Sequence, residues 1–276
     1  MTIETKDLLS GVIGNAAYAI LALLLKWLAP KLLRHDPRFR PLALLVLGAA
    51  WLAMNLGYYW AGVARYDWFL IASSAIFGGF VWTELLQFWR IGIVGADRRT
   101  KSGLNYRIAL GMCRKSLDFL GVGASKLTSE VDAFRSALVR CHSEHRAIRF
   151  LLCDPQHPDL ETFAARAGDR AGTYRQRILS SLDVIAALRT EKAVNVEVRF
   201  YGEQTMPLFR LMFIDDALCL ASHYRFGAGD GSDLPQLHVR RAGVREVEAA
   251  SIYFAFSAYF QELWRHSRPW DFQRIL

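Results

Sequence analysis

The sequence predicts an α/β protein with two parts, an N-terminal module of three transmembrane helices and a cytosolic α/β/α sandwich. Three observations support this division. Long apolar stretches occupy only the first third of the 276 residues. The remainder has the composition of an ordinary globular domain, large enough to bury a core. In that remainder, short apolar runs typical of strands alternate with segments of helical periodicity.

The three apolar stretches are long enough to cross a bilayer. They run over Leu8–Leu28, Leu42–Val63 and Trp68–Trp89 within a module that we place at residues 1–90. Each has about 20 residues, the length that an α-helix needs to cross a hydrocarbon core about 30 Å thick. Acidic residues precede the first stretch, so we interpret it as a retained span and not as a cleaved signal peptide.

Basic residues predict the orientation of this module. They are concentrated in Lys31–Arg40 and in a linker at 91–103, whereas the loop Ala64–Asp67 has a single arginine. Because Lys and Arg favour the cytoplasmic side, we expect the N-terminus outside a bacterial inner membrane and residues 104–276 inside. We attribute much of the net charge of +8 to topology and to lipid head groups, which makes nucleic acid a less favoured partner.

Polar and small residues inside the spans predict contacts between helices. The polar residues are Asn15 and Asn55, and Gly57 and Gly79 each have an alanine four residues away. Such spacing lets helices approach closely. Two interpretations stay open, packing of the three helices of one chain and assembly of a homo-oligomer. No span has a strongly polar stripe, which argues against a constitutively open ion channel.

The domain from residue 104 onward alternates strands with helices. Period-two alternation and apolar runs that stop at turn residues indicate six strands, at Ser116–Val122, Ala147–Cys153, Val194–Phe200, Leu208–Ile214, Ala217–Ser222 and Leu237–Arg240. Helical periodicity indicates helices at Ser129–His142, Leu160–Arg189 and Val244–His266. Asp215-Asp216 is expected to form a tight hairpin turn.

Several familiar motifs are absent. The four cysteines lie in apolar or amphipathic runs without paired spacing, so we expect buried, reduced thiols and no metal site. The sequence has no Walker A loop, and Gly121-Val122-Gly123 lacks the rest of a dinucleotide fingerprint. We therefore predict no cofactor. The glycine-rich segment 227–232 is interpreted as a surface loop, with closure over a ligand as the alternative.

The soluble part resembles one half of a phospholipase D-like domain, in the degenerate single-repeat form found in bacteria. The resemblance covers Leu104–Ser267 and depends on the order of five segments: KSLDFLGVGASKL, AIRFLLCDP, VNVEVRFYG, LFRLMFIDDALCLASHY and FAFSAYFQELWRHS. In catalytic members of that superfamily, a His-x-Lys-x4-Asp motif supplies a histidine that attacks phosphorus and a lysine that binds phosphate oxygens. The resemblance implies a domain that binds phosphorylated ligands.

This chain departs from that motif. With Asp215 as the aspartate, Leu208 occupies the histidine position and Arg210 the lysine position. Leucine cannot attack phosphorus, whereas arginine still binds phosphate as a bidentate donor. The resemblance therefore makes Arg210, Asp215, Ser222 and His223 candidate ligand-binding residues. His223 is the candidate for a substitute nucleophile or general base, with a simple role at the strand end as the alternative.

Three functional hypotheses follow. The favoured one is a membrane-anchored, non-catalytic sensor or effector whose domain binds a phosphorylated ligand, a nucleotide or a companion protein and alters the spans. Its architecture is similar to that of anti-phage defence effectors that disrupt the inner membrane. The second is an active phosphodiesterase or lipid-modifying enzyme that uses His223. The third is a nucleic-acid-binding protein. Whether the chain is an enzyme stays open at this point.

Overall fold

The computed structural model describes residues 48–49, 51–53, 55–57, 59–60, 66–144, 148–192, 194–201, 207–224, 231–241 and 251–272. The chain forms two compact units, Met1–Gln87 and Phe88–Leu276. The first predicted span and Asn15 lie outside the described residues. The predicted helix at Val244–His266 is described only from residue 251 onward.

Helix α1 (Tyr66–Arg90) coincides with the third predicted span. The described residues from 48 to 60 are helical too and lie in the second predicted span. Trp51 Nε1 donates a hydrogen bond to Ser73 Oγ at 3.2 Å, and its ring stacks on Phe77 at 5.7 Å between centroids. Among the described residues, no helix combines the length and the hydropathy needed to cross a bilayer. The three-span module therefore stays a prediction.

The predicted packing residues of this unit differ in their surroundings. Asn55 is buried, and its Nδ2 donates to the Trp51 carbonyl at 2.7 Å, while its Oδ1 has no hydrogen-bond partner among the described residues. Gly57 lies in the helical segment 55–57. A Cβ placed on Gly79 would have no described heavy atom within 4 Å. The described residues thus show a helix contact at Trp51 and none at Gly79.

The second unit contains a mixed sheet. Its strands are β1 (Ile93–Asp97), β2 (Leu117–Leu120), β3 (Ile148–Cys153), β4 (Val196–Tyr201), β5 (Phe209–Ile214), β6 (Leu218–His223), β7 (Gln236–Arg240) and β8 (Arg268–Pro269). They lie in the order β1-β7-β6-β5-β2-β3-β4-β8. Strands β2, β3 and β4 are parallel, and the remaining pairs are antiparallel. The predicted α/β domain is confirmed in this form.

Helices cover both faces of this sheet. Those after α1 are α2 (Tyr106–Met112), α3 (Ser125–Thr128), α4 (Val131–Ser143), α5 (Asp159–Ala167), α6 (Thr173–Lys192) and α7 (Ile252–Arg265), and 3₁₀ turns lie at Thr100–Ser102 and Gly231–Asp233. On one face, Phe134 of α4 packs edge-on against Phe150 of β3 at 5.8 Å. On the other, Phe213 of β5 packs against Tyr253 of α7 at 5.6 Å. We call these the α4 face and the α7 face.

Two predicted segments are organised differently from the sequence interpretation. Strand β1 lies inside the segment 91–103 that was predicted as a basic linker, and it pairs with β7 at the sheet edge. The helical region predicted over Leu160–Arg189 consists of two helices, because α5 ends at Ala167 and the next residue, Gly168, has a φ of 75° in the left-handed region. Glycine adopts that conformation without steric cost, so it terminates a helix readily.

A largely buried ion pair lies on the α7 face. Asp118 of β2 pairs with Arg149 of β3, whose Nε lies 2.8 Å from Asp118 Oδ1. The guanidinium also lies 5.2 Å from the ring centroids of Phe260 and Trp264. Burial opposes the charge of Arg149, but the hydrogen bond and attraction from Asp118 outweigh it and raise the pKa of Arg149. This pair is part of the core.

Candidate functional site

Arg210 is a buried arginine held by uncharged groups. Its side chain belongs to β5, and the residue is 7 % exposed. Nη2 donates to Thr100 Oγ1 at 3.0 Å and to Ser222 Oγ at 3.1 Å, and Nη1 donates to the Gly231 carbonyl at 3.1 Å. The Tyr106 ring centroid lies 5.4 Å from its Cζ. Strands β5 and β6 and the two 3₁₀ turns that begin at Thr100 and Gly231 thus meet at one guanidinium.

The topology places Arg210 at the carboxyl edge of the parallel strands. Leu211 pairs with Leu120, the last residue of β2, so Arg210 lies one position beyond it beside the Gly121–Gly123 turn. Tyr224, two residues after Ser222, accepts a hydrogen bond from the Val122 N–H at 3.0 Å. Ligands of α/β sheets bind preferentially outside this edge, where loops rather than strands surround them. The position suits a binding site.

The charge of Arg210 has no acidic partner within the described part of the chain. Its three hydrogen-bond acceptors there are two hydroxyl oxygens and a carbonyl oxygen. Removing an ion from water costs several kcal/mol unless an opposite charge compensates it. Arg210 also acts on Tyr224. Burial raises the pKa of Tyr224 to about 12, and the charge of Arg210 opposes that shift. A buried cation whose described hydrogen-bond acceptors are neutral therefore lies at this edge.

Ser222 and His223 lie on opposite faces of the sheet. Ser222 pairs in register with Arg210, and His223 pairs with Phe209. Because successive strand residues alternate between faces, Ser222 shares the α4 face with Arg210, and His223 points to the α7 face. There its exposed ring packs edge-on against Phe209 at 5.4 Å. The structure brings Arg210 and Ser222 together, but it separates His223 from both.

Asp215 lies at the far end of β5 from Arg210. Five residues of extended strand separate their Cα atoms by about 16 Å. The Asp215 carboxylate accepts backbone N–H bonds from Arg114, Lys115 and Ser116, with a shortest distance of 2.6 Å. Its φ of 57° confirms the predicted hairpin turn at Asp215-Asp216. Asp215 therefore holds a neighbouring loop and does not belong to the Arg210 site.

A histidine–carboxylate pair lies on the same face as Arg210 and was not predicted. His238 Nε2 and Asp97 Oδ2 are 2.8 Å apart, and both side chains are largely buried. Asp97 Oδ2 also accepts the Leu104 N–H at 2.7 Å. From strand spacing and rise, the Cα atoms of His238 and Arg210 are about 12 Å apart. The two partners are 141 positions apart in sequence, so no local pattern signals the pair.

Two glycine residues leave the space that Asp97 and His238 occupy. A Cβ on Gly103 would lie 1.9 Å from Asp97 Cγ, and a Cβ on Gly95 would lie 3.0 Å from His238 Nδ1. In the neutral tautomer that has its proton on Nε2, toward Asp97, Nδ1 has a free lone pair, as a general base or a nucleophile requires. Within the described ranges, no three His, Cys, Asp or Glu side chains are placed to hold a metal ion.

Comparison with solved structures gives phospholipase D-related matches at low similarity. One is Nuc from Salmonella typhimurium, a phospholipase D family member. It is 11% identical with a TM-score of 0.37, and the match covers 60% of this chain and 88% of that one. Another is phosphatidylserine synthase of Haemophilus influenzae Rd KW20. It is 13% identical with a TM-score of 0.41, and the match covers 62% of this chain and 37% of that one. No family model and no curated protein matches the sequence.

Proposed function

We propose that the domain binds a phosphorylated ligand at Arg210 without cleaving it, as the sensing part of a membrane-anchored effector. The observation that carries this proposal is the buried guanidinium whose described partners are all neutral. A phosphate oxygen would supply the missing negative charge, and arginine is suited to bind it with two parallel N–H bonds. The Ser222 hydroxyl would donate to a further oxygen of the same group, whereas the Thr100 hydroxyl, which donates to the Leu234 carbonyl at 3.2 Å, would hold the guanidinium in place.

The chain connects this site directly to α1. Thr100, which accepts a hydrogen bond from Arg210, is separated from the end of β1 by two residues. At the other end of β1, only Ile91 and Gly92 separate the strand from the end of α1. Arg240 of β7 donates its N–H to the Gly92 carbonyl at 2.8 Å, and its Cζ lies 4.2 Å from the Trp89 ring centroid. Ligand contact with Thr100 would therefore act on the segment that continues into α1. This continuity supports a role in signalling to the N-terminal helices.

Binding is tested by titrating the full chain, purified in detergent, with inorganic pyrophosphate in a calorimeter. Arg210→Gln removes the charge, and we expect its affinity to fall roughly 10- to 100-fold, since a hydrogen bond to a charged group contributes about 1.5–3 kcal/mol. Arg114→Gln is the control for net charge, because only its backbone N–H is engaged with Asp215. Equal affinities of the wild type and Arg210→Gln would refute the proposed site.

The effector part of the proposal has its own measurement. We expect induced expression in bacteria to depolarise the inner membrane when the ligand or a companion protein is present, as read by a membrane-potential dye. Arg210→Gln should abolish the response while membrane levels of the protein stay equal. Depolarisation that is identical in the variant would contradict control by this site.

A second candidate, an active phosphodiesterase, is favoured by the pairing of His238 with Asp97. In that mechanism Nδ1 of His238 would attack phosphorus, and the bond to the alkoxide would break, with the alkoxide taking up a proton from solvent. Arg210 would bind the phosphate oxygens, and a water molecule would then cleave the bond between His238 and phosphorus. Hydrolysis of bis(p-nitrophenyl) phosphate by the purified chain decides between the candidates. We expect no turnover above the level of His238→Gln. Turnover that His238→Gln loses and His223→Ala keeps would establish the enzyme instead.

A further inference from the structure

Cys113 and Cys141 form a close pair of thiols in the core. Their sulfur atoms are 3.2 Å apart although the residues are 28 positions apart in sequence. Cys113 follows the last residue of α2, and Cys141 lies in the last turn of α4. Both residues are fully buried. Cys153 and Cys219 are buried too, and among the described residues neither is hydrogen-bonded to another cysteine.

Polar groups around Cys113 hold it in this position. Arg140, next to Cys141, donates from Nε to the Cys113 carbonyl at 2.8 Å and from Nη2 to the Leu110 carbonyl at 2.7 Å. Asp215 binds the N–H groups of the loop that follows Cys113. Backbone positions on both sides of Cys113 are therefore tied down, so the short sulfur–sulfur distance belongs to the fold.

Contacts around the two sulfur atoms distinguish them. Cys113 Sγ donates to the Ser116 carbonyl at 3.2 Å, which keeps the proton on that sulfur because a carbonyl oxygen only accepts. Contact with Cys113 lowers the pKa of Cys141, contact with Cys141 and burial raise the pKa of Cys113, and the charge of Arg140 lowers the pKa of both thiols. A thiolate is the reactive form of cysteine, so we assign Cys141 as the sulfur that reacts first.

We propose that Cys113 and Cys141 are a redox pair that hydrogen peroxide converts into a disulfide joining α2 to α4. The Cys141 thiolate attacks one peroxide oxygen, the O–O bond breaks, and the departing hydroxide takes up a proton to become water. Cys141 is then a sulfenic acid. The Cys113 sulfur attacks Cys141 Sγ, the S–O bond breaks, and a second water leaves with the Cys113 proton. Together the two thiols lose two electrons, and these electrons reduce one peroxide molecule to two water molecules.

The small size of the oxidant matters because both sulfur atoms are buried. Closing the disulfide shortens the sulfur–sulfur distance from 3.2 Å to about 2.05 Å. A cross-link across 28 positions also restricts the unfolded chain, so oxidation should raise the melting temperature. This inference does not depend on the proposed ligand at Arg210.

The test treats the reduced full chain in detergent with hydrogen peroxide, blocks free thiols under denaturing conditions and identifies cross-linked peptides by mass spectrometry. We expect a Cys113–Cys141 cross-link with Cys153 and Cys219 still alkylated, and a rise in melting temperature that dithiothreitol reverses. The same treatment in urea is the control for folding and should remove the selectivity. Cys141→Ala, checked by circular dichroism, should leave Cys113 as a free thiol. Equal oxidation of all four cysteines in the folded chain, or no cross-link, would overturn the proposal.

Discussion

Arg210 Nη2 lies 3.1 Å from Ser222 Oγ, and the two residues face each other directly across the β5–β6 ladder. The next pair of the same ladder, Phe209 with His223, points to the opposite face. The register of this strand pair thus places Arg210, the candidate phosphate-binding residue, and His223, the candidate nucleophile, on opposite faces of the sheet. A role for Arg210 in catalysis would have to involve His238, which shares its face, and not His223.

The hydroxyls beside Arg210 should contribute less to binding than its charge. Thr100→Ala or Ser222→Ala removes one neutral hydrogen-bonding partner, so we expect pyrophosphate affinity to fall about 3- to 10-fold. Ser129→Ala is the matched control, because Ser129 is exposed and its hydroxyl donates to the Lys126 carbonyl of its own helix turn. Titration calorimetry gives the three affinities. Affinities that match the wild type at Thr100→Ala and Ser222→Ala would place the ligand elsewhere.

Asp215 should stabilise the fold and not the ligand. Asp215→Gly removes the carboxylate while allowing the left-handed φ of 57°. It leaves three backbone N–H groups without their acceptor, which should lower the free energy of unfolding by about 2 kcal/mol or more. Urea unfolding measures the change. Asp132→Ala, an exposed carboxylate in the first turn of α4, is the control and should cost less than about 1 kcal/mol. Unchanged stability in Asp215→Gly would contradict this role.

The Asp118–Arg149 pair should show strong coupling. Asp118→Leu leaves the Arg149 charge buried without its partner, and we expect a loss of about 3–5 kcal/mol in unfolding free energy. The double variant Asp118→Leu/Arg149→Met removes both charges from the aromatic contacts of α7 and should recover part of that loss. Urea unfolding of the wild type, Asp118→Leu, Arg149→Met and the double variant completes a double-mutant cycle. Additive losses would show that the two side chains act independently.

Gly92 should not tolerate a side chain. Its φ is +94°, and a Cβ there would lie 2.8 Å from the Arg240 carbonyl oxygen. Gly92→Ala therefore combines backbone strain of about 1–2 kcal/mol with a clash against backbone. Gly111→Ala is the control, and we expect it to raise the melting temperature. A Cβ placed on Gly111 would have no other described heavy atom within 4 Å beyond its own helix turn, and alanine favours the helix over glycine. Thermal unfolding should separate the two variants clearly, and equal melting temperatures would contradict the strain at Gly92.

Tyr224 should make stability depend on alkaline pH. Burial raises its pKa from the ordinary 10 to about 12, so the folded state keeps the proton that the unfolded state begins to lose. This contribution is complete below pH 10 and disappears as the pH rises through about 12. Urea midpoints measured from pH 9 to 12 should fall less steeply in Tyr224→Phe than in the wild type. Parallel curves would show that this phenol does not titrate within the window.

The sequence by itself determined the α/β class of the domain and most of its interior strands. Alternating or continuous apolar residues carry that information locally, so Ile148–Cys153 and Phe209–Ile214 lie within two residues of their predicted bounds. It also singled out Arg210 and the hairpin turn at Asp215-Asp216. Strand β1 was missed. It is an edge strand of five residues that directly follows an apolar segment and lies in a stretch rich in basic residues, and its own residues show no clear alternation of apolar and polar side chains.

Only the tertiary structure decided which of these side chains meet. Strand pairing places Asp97 beside His238, two 3₁₀ turns bring Thr100 and Gly231 to Arg210, and helix packing brings Cys113 within 3.2 Å of Cys141. It also separates His223 and Asp215 from Arg210. The physical reason is that register and sheet order depend on contacts between residues far apart in sequence, and a shift of one position reverses the face of every side chain.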